Sequence, residues 1–368
     1  MKALVIIPSI RVTENFGKYA ENFTAYKHKP DIVIIDETMP PLVLTKQRQE
    51  VLKQLEAMSE SESEINFFGI EARKEWFKEH DLGDVDALIP QRAHNELSFG
   101  LLFALTRAYD MICFVDDDTR PLEHVDFLGE HWKALSTQQT LFTSSCINSL
   151  WVNPIMGTGY FARGIPYSER RKLSSSIIHH HTLNVNNVVL HLGLWDGVLD
   201  LNAIDYLTAE SVDEAETLSA RNFCLRKNEF APLSSMNLSF KPEVIPAFYQ
   251  LWHNDRHDDI FSGIFLKHIC DHMDKSVTFG APLCYHDKAQ RNFFDDIRKE
   301  LSGMELNEEL WRYVASIELT CKTWLECYKE LATELYTRMR ETRFNDYLWL
   351  MTRKMLLWCD VVEKLGAK

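Results

Sequence analysis

Long apolar runs, paired cysteines and an excess of basic residues are all missing from this 368-residue chain. No stretch approaches the ~20 consecutive apolar residues that cross a bilayer as a helix, which argues against a membrane protein. The eight cysteines, Cys113, Cys146, Cys224, Cys270, Cys284, Cys321, Cys327 and Cys359, are scattered without a C-x-x-C pair. That spacing excludes zinc ribbons and dithiol redox motifs, and reduced, mostly buried thiols are expected. Only 40 Lys and Arg face 54 Asp and Glu, a formal net charge of -14. Binding a nucleic-acid backbone or an anionic membrane needs clustered cations, so neither is expected as a general partner. The apolar opening Met1 to Pro8 is too short for a signal peptide, lacks a small-residue cleavage site and is broken by proline. It reads as a first strand, a cytoplasmic location is expected, and the glycosylation sequons at Asn22 and Asn237 are chance matches.

What remains is an ordinary globular composition, 45% hydrophobic and 26% charged, enough to fold around a sizeable core. The β-branched run from Ala3 to Ile10 predicts a strand covered by helices on both faces. Asp31 to Asp36, Ile65 to Ile70 and Met111 to Val115 predict three more, with helices over 41–57 and 95–108 and a polar Ser-Glu connection at 59–64. Strands alternating with helices imply a parallel sheet with right-handed crossovers. Ligands of such sheets collect at the carboxyl ends of the strands, the edge to which Asp36 and Asp116 fall. Between about 140 and 290 the pattern is less regular, with short strands and Gly, Asn and Pro turns. Later, Trp311, Trp324, Trp349 and Trp358 recur with Leu and Met at helical spacing, predicting amphipathic helices whose stripe serves packing or an oligomer interface. The resulting division is 1–120 for nucleotide, 121–300 for sugar and acceptor, and 301–368 as a helical extension.

Three consecutive acids, Asp116, Asp117 and Asp118, follow the fourth strand. Like charges raise one another's proton affinity, so a compensating cation is expected. In an extended segment Asp116 and Asp118 share a face, a spacing suited to a hard divalent ion completed by phosphate oxygens. The alternative is an acidic loop paired with Arg120. For a nucleotide, Pro8 and Arg11 after the first strand, Asp36 after the second, and Arg92 with Asn95 before a helix are candidates for base, ribose and phosphate contacts.

The acids at this strand edge resemble the Asp-x-Asp motif of A-type glycosyltransferases, in which a metal bridges the acid and a nucleotide diphosphate. The resemblance implies an α/β, Rossmann-like fold: a mixed, mainly parallel sheet flanked by helices, with a C-terminal helical extension. A more specific resemblance is to the reversibly glycosylated polypeptides, or UDP-arabinopyranose mutases, whose plant members interconvert the pyranose and furanose forms of UDP-arabinose. It spans about residues 5–300. Ile7-Pro8-Ser9-Ile10-Arg11 is similar to the family's V-P-T-I-R, and Phe114-Val115-Asp116-Asp117-Asp118 also matches. Arg163-Gly164-Ile165-Pro166-Tyr167-Ser168-Glu169-Arg170 resembles R-G-[YF]-P-F-S-x-R, the most specific match. Gly193-Leu194-Trp195 with Asp200 and Ala203, Ser235 to Phe240, Arg256 to Asp259 with Ile269 to His272, and His286-Asp287-Lys288-Ala289 follow in family order. Thr119 departs from the family by replacing a cysteine, and Gln91 to Asn95 looks more like a general glycosyltransferase.

The resemblance implies a metal, Mn2+ or Mg2+, held by Asp116, Asp118 and His286, with Asp117 needed for local hydrogen bonding near the nucleotide. Lys288 would offset diphosphate charge. Asp258 and Asp259 stand where an acceptor-side base is kept, although one of them alternatively caps a helix. Arg163 corresponds to the family's sugar-linked arginine, yet a protonated guanidinium is better suited to binding diphosphate or sugar, as is Arg170. Trp195 is either a stacking face or a buried anchor. His179-His180-His181 is not expected to bind metal, since consecutive side chains cannot face one point. Three functions follow as expectations: a UDP-sugar mutase; a transferase to a glycan, protein or modified nucleic acid; or a non-catalytic nucleotide-sugar scaffold. Assembly through the C-terminal helices is a further expectation.

Overall fold

The β-branched runs form the parallel end of the sheet. Ala3–Ser9 (β1), Asp31–Asp36 (β2) and Met111–Val115 (β4) are buried along their whole length, while Ile65–Phe68 (β3), at the sheet edge, is only half-buried. The computed structural model describes residues 1–10, 15–36, 53, 63–91, 93–146, 148–155, 157–175, 178–208, 222–252, 256–287 and 292–366. The expected helix over 41–57, apart from Lys53, and most of the Ser-Glu connection lie outside them.

The remaining strands are Thr119–Pro121 (β5), Gln139–Cys146 (β6), Ile178–Val185 (β7), Val188–Gly197 (β8), Phe223–Cys224 (β9), Asn237–Phe240 (β10) and Ser276–His286 (β11). All join one sheet of order β3-β2-β1-β4-β10-β8-β11-β9-β6-β7, with β5 paired to β11. The first four strands are parallel, as are β8 and β11, whereas β10 runs antiparallel to both β4 and β8. This is the expected mixed sheet, and it sets the carboxyl ends of β1, β4, β8 and β11 along one edge.

Helices cover both faces. Leu97–Leu105 is apolar all round and almost wholly buried, as a helix packed on every side must be. On the opposite side, Asn15–Ala25 anchors through Tyr19, whose hydroxyl lies 2.9 Å from Thr119 Oγ1. Asp126 starts Phe127–Ser136 by accepting the Gly129 amide at 2.8 Å, a side-chain N-cap.

The C-terminal helices are Phe293–Ala315, Trp324–Met339 and Asn345–Lys364. Trp311, Trp324 and Trp358 are buried, and Trp358 donates its indole N–H to the Pro246 carbonyl at 3.1 Å. Those three serve packing; Trp349 faces outward, 49% exposed. Cys113, Cys224, Cys270, Cys284, Cys327 and Cys359 are buried free thiols. Among the described residues, no helix is long and apolar enough to cross a membrane.

Candidate active site

At the carboxyl edge of the sheet, β4 ends and Asp116, Asp117 and Asp118 turn the chain into β5. The turn closes with the Thr119 amide and hydroxyl both donating to the Asp116 carbonyl, at 3.2 and 2.9 Å. This corrects the expectation of an extended segment. The chain must reverse here so that β5 can pair with β11, and all three acids nonetheless line one pocket.

Pairing of β5 with β11 puts Thr119 opposite His286, and the Asp287 amide donates to the Asp118 carbonyl at 2.8 Å. His286 is 2% exposed and its Nδ1 lies 2.7 Å from the Val198 carbonyl. A carbonyl can only accept, so Nδ1 carries the proton and Nε2 presents a lone pair. That nitrogen lies 3.8 Å from Asp118 Oδ2. Asp116 Oδ1 is buried with no hydrogen-bond partner among the described residues. Burial, reinforced by the charges of Asp118, Asp117, Asp259 and Asp200, raises its proton affinity well above the carboxylate norm.

The facing wall is a charged network around Arg163. Its Nε donates to Asp200 at 2.7 Å, while Nη1 and Nη2 grip the two Asp259 oxygens at 3.0 and 2.8 Å. Nη1 also donates to the Arg256 carbonyl. Burial would loosen the guanidinium's proton, but Asp200 and Asp259 outweigh it, and Arg163 stays firmly cationic. Gly164 takes a φ of +92°, and a Cβ there would meet Ile260 at 2.7 Å, so this position requires glycine. Asp258 and Asp259 open the helix Asp258–His272 as its first two residues, with His257 as N-cap. Neither acid is therefore the cap; both sit in the first turn, where the helix dipole favours negative charge.

The pocket between these walls has a volume of about 390 Å³. Of the predicted residues it gathers Pro8, Asp116, Asp117, Asp118, Arg163, Asp258, Asp259 and His286. Four others do not line it. Asp36 ends β2, buried. Asn95 donates inward to the Leu88 carbonyl at 3.2 Å and the Tyr249 hydroxyl at 3.1 Å, a structural role. Arg170 is locked on Asp205 at 2.7 and 2.9 Å and lies 3.9 Å over the Tyr167 ring, bracing the turn after Arg163. Trp195 is 3% exposed within β8, the buried anchor rather than the stacking face. Arg11, Arg92 and Lys288 lie outside the described residues.

Sequence reasoning missed Glu96, Ser234 and Lys299 on the pocket wall. It quoted Asp200, Met236 and Arg256 inside motifs without giving them site roles, although those motifs were the available signal. Among the described lining residues, seven carboxylates, Glu96, Asp116, Asp117, Asp118, Asp200, Asp258 and Asp259, face three cationic side chains, Arg163, Arg256 and Lys299. No three His, Cys, Asp or Glu side chains among the described residues converge as a ready cation cage.

The sequence model of the family described as "Reversibly glycosylated polypeptide" matches residues 92–367. UDP-arabinopyranose mutase 3 of Arabidopsis thaliana is 29% identical over 263 residues, 69% of this chain and 67% of that protein. UDP-arabinopyranose mutase 1 of Oryza sativa subsp. japonica is 27% identical over 262 residues, 69% of this chain and 66% of its own length. Among solved structures, mannosyltransferase PcManGT from Pyrobaculum calidifontis, in complex with GDP-Man and Mn2+, has a TM-score of 0.38 and 10% identity, covering 99% of this chain and 73% of that one. A likeness that low bears no argument.

Proposed function

The chain belongs to the reversibly glycosylated polypeptide family, and on that premise we propose that it interconverts the pyranose and furanose forms of a UDP-pentose, UDP-arabinopyranose first, with a divalent cation. One observation carries the reading: a single pocket sets the acid turn and His286 against the Arg163, Asp200 and Asp259 cluster. Seven carboxylates would repel a diphosphate, so a pocket of this charge accepts one only together with a cation.

The residues fit such an ion. Asp116 brings a buried oxygen without a hydrogen-bond partner among the described residues, Asp118 and His286 oppose each other at 3.8 Å, and Mn2+ or Mg2+ would complete its shell from the diphosphate. Bound there, the ion would neutralise charge as the diphosphate leaves the anomeric carbon. Pro8 and Ile10, at the end of β1, would flank the nucleotide. Arg163 has four of its five N–H groups committed to Asp200, Asp259 and the Arg256 carbonyl, so it would act as a fixed positive charge beside the sugar. Asp258 would exchange a proton with the hydroxyl that closes the new ring. The anomeric C–O bond to UDP would break as O4 attacks C1 and gives its proton to Asp258; the C1–O5 bond would then break as the same diphosphate oxygen re-bonds C1, and O5 would take the proton back.

The test is incubation with UDP-arabinopyranose and Mn2+ followed by separation of the nucleotide sugars. UDP-arabinofuranose is expected. Net UDP release with an added acceptor, and no furanose, would replace the mutase by a transferase; UDP binding without turnover would leave only a scaffold. Asp118→Asn should lower turnover by at least about 100-fold, in line with loss of a metal ligand, and remove the metal dependence of UDP binding.

A further inference from the structure

The helix Phe293–Ala315 touches three separated segments of the pocket wall. Glu300, 0% exposed, accepts from Arg256 Nε with one carboxylate oxygen and from the Ala203 amide, at 2.6 Å, with the other. One helical turn on, Gly303 lies flush against His257: a Cβ there would come within 2.6 Å of the imidazole Cγ. Another turn on, Asn307 donates to the Gly164 carbonyl at 2.6 Å. One face of one helix thus holds the backbone beside Arg163, Asp200 and Asp259.

These bonds form a chain. Glu300 fixes the Arg256 side chain; Arg256, at a φ of +67°, turns its carbonyl onto Arg163 Nη1; Arg163 then fixes Asp259 with two bonds and Asp200 with one. Arg256 Nη2 is also 3.7 Å from Asp200 Oδ1, which closes the ring. A non-glycine residue reaches positive φ only where its surroundings hold it, and Glu300 with Asp200 anchors the Arg256 side chain.

We propose that Glu300 is a positioning residue for the sugar side of the pocket, acting through Arg256 on Arg163 and Asp259; the catalytic part of this rests on the UDP-pentose reading above. Among the described residues its side chain bonds Arg256 and the Ala203 amide, away from the β1 and β4 edge where the nucleotide would lie. Its loss should therefore separate sugar chemistry from nucleotide binding.

In Glu300→Gln an amide N–H replaces one acceptor, and Arg256 or the Ala203 amide loses its partner. Turnover of UDP-arabinopyranose by the full-length protein is expected to fall ten- to a hundredfold, while the Kd for UDP with Mn2+ stays within twofold. On 15N-labelled protein, the Arg163 Nε–H should exchange with water at least tenfold faster than in the wild type. Arg256→Gln should reproduce both effects, and the double variant should be no worse than either single one, because both cut the same chain. If the Glu300→Gln protein keeps the protected Nε–H and wild-type turnover, or loses turnover and UDP affinity in parallel, Glu300 only packs the helix and the proposal fails. If the wild-type protein turns over no UDP-pentose, the functional reading falls, and the Nε–H signal alone decides whether Glu300 positions Arg163.

Discussion

Asp116 is a carboxyl group in conflict with its surroundings. Burial and four neighbouring acids raise its proton affinity, so the native state binds that proton more tightly than the unfolded chain does. Its contribution to stability is complete below the ordinary value of 3.8 and is lost as pH climbs toward the raised native value. At pH 7 without metal, Asp116→Asn should melt at a higher temperature than wild type, while Mn2+ should raise the melting temperature of the wild type only. A lower melting point for the variant would mean that no repulsion is stored there. The buried histidines work in the opposite sense. Burial lowers His131 to about 4, His257 to about 3 and His268 to about 4. Between those values and 6.5 the unfolded chain takes up protons that the native state refuses, so stability falls as pH drops below 6.5. The urea midpoint should decline from pH 7 to pH 5, and replacing His257 by Phe should flatten that decline.

Among the elements, the parallel strands were the most legible. Their β-branched runs are buried on both faces, and burial of that kind writes itself directly into composition. The acid triplet was legible as chemistry but not as shape. Alternation assumes an extended chain, whereas the reversal comes from β5 pairing with β11, more than 150 residues away in sequence. The helix expected to open the extension near 301 begins at Phe293. No local pattern marks its first turns, because Glu300 finds its partners 44 and 97 residues away. Asn95, Arg170 and Trp195 were polar or aromatic groups beside the right motifs, and each spends its bonding or surface inside the protein. Nothing local separates that use from ligand binding. Asn307→Ala would leave the buried Gly164 carbonyl without its donor, and a loss of about 1–3 kcal/mol in chemical denaturation is expected.

Over the whole molecule, the proposed division into nucleotide, sugar and helical units meets a chain whose last helices reach the centre. Trp358 bonds to Pro246, and Glu300, Gly303 and Asn307 bear on the pocket wall. Full-length protein should therefore unfold in one transition, coincident by circular dichroism and tryptophan fluorescence. A chain ending at residue 292 should fail to give a soluble protein that binds UDP. A second, independent transition would support the helices as a separate extension.

The short pairing of β5 with β11 has one more consequence. Asp118, the turn residue just before β5, and His286, the last residue of β11, are stitched by the 2.8 Å bond from the Asp287 amide to the Asp118 carbonyl. The spacing of their backbones is thus set by the main chain, and only side-chain rotation can alter the gap between them. A cation proposed to bridge them would draw on two donors whose backbones are already in place, and so would be spared much of the cost of ordering them.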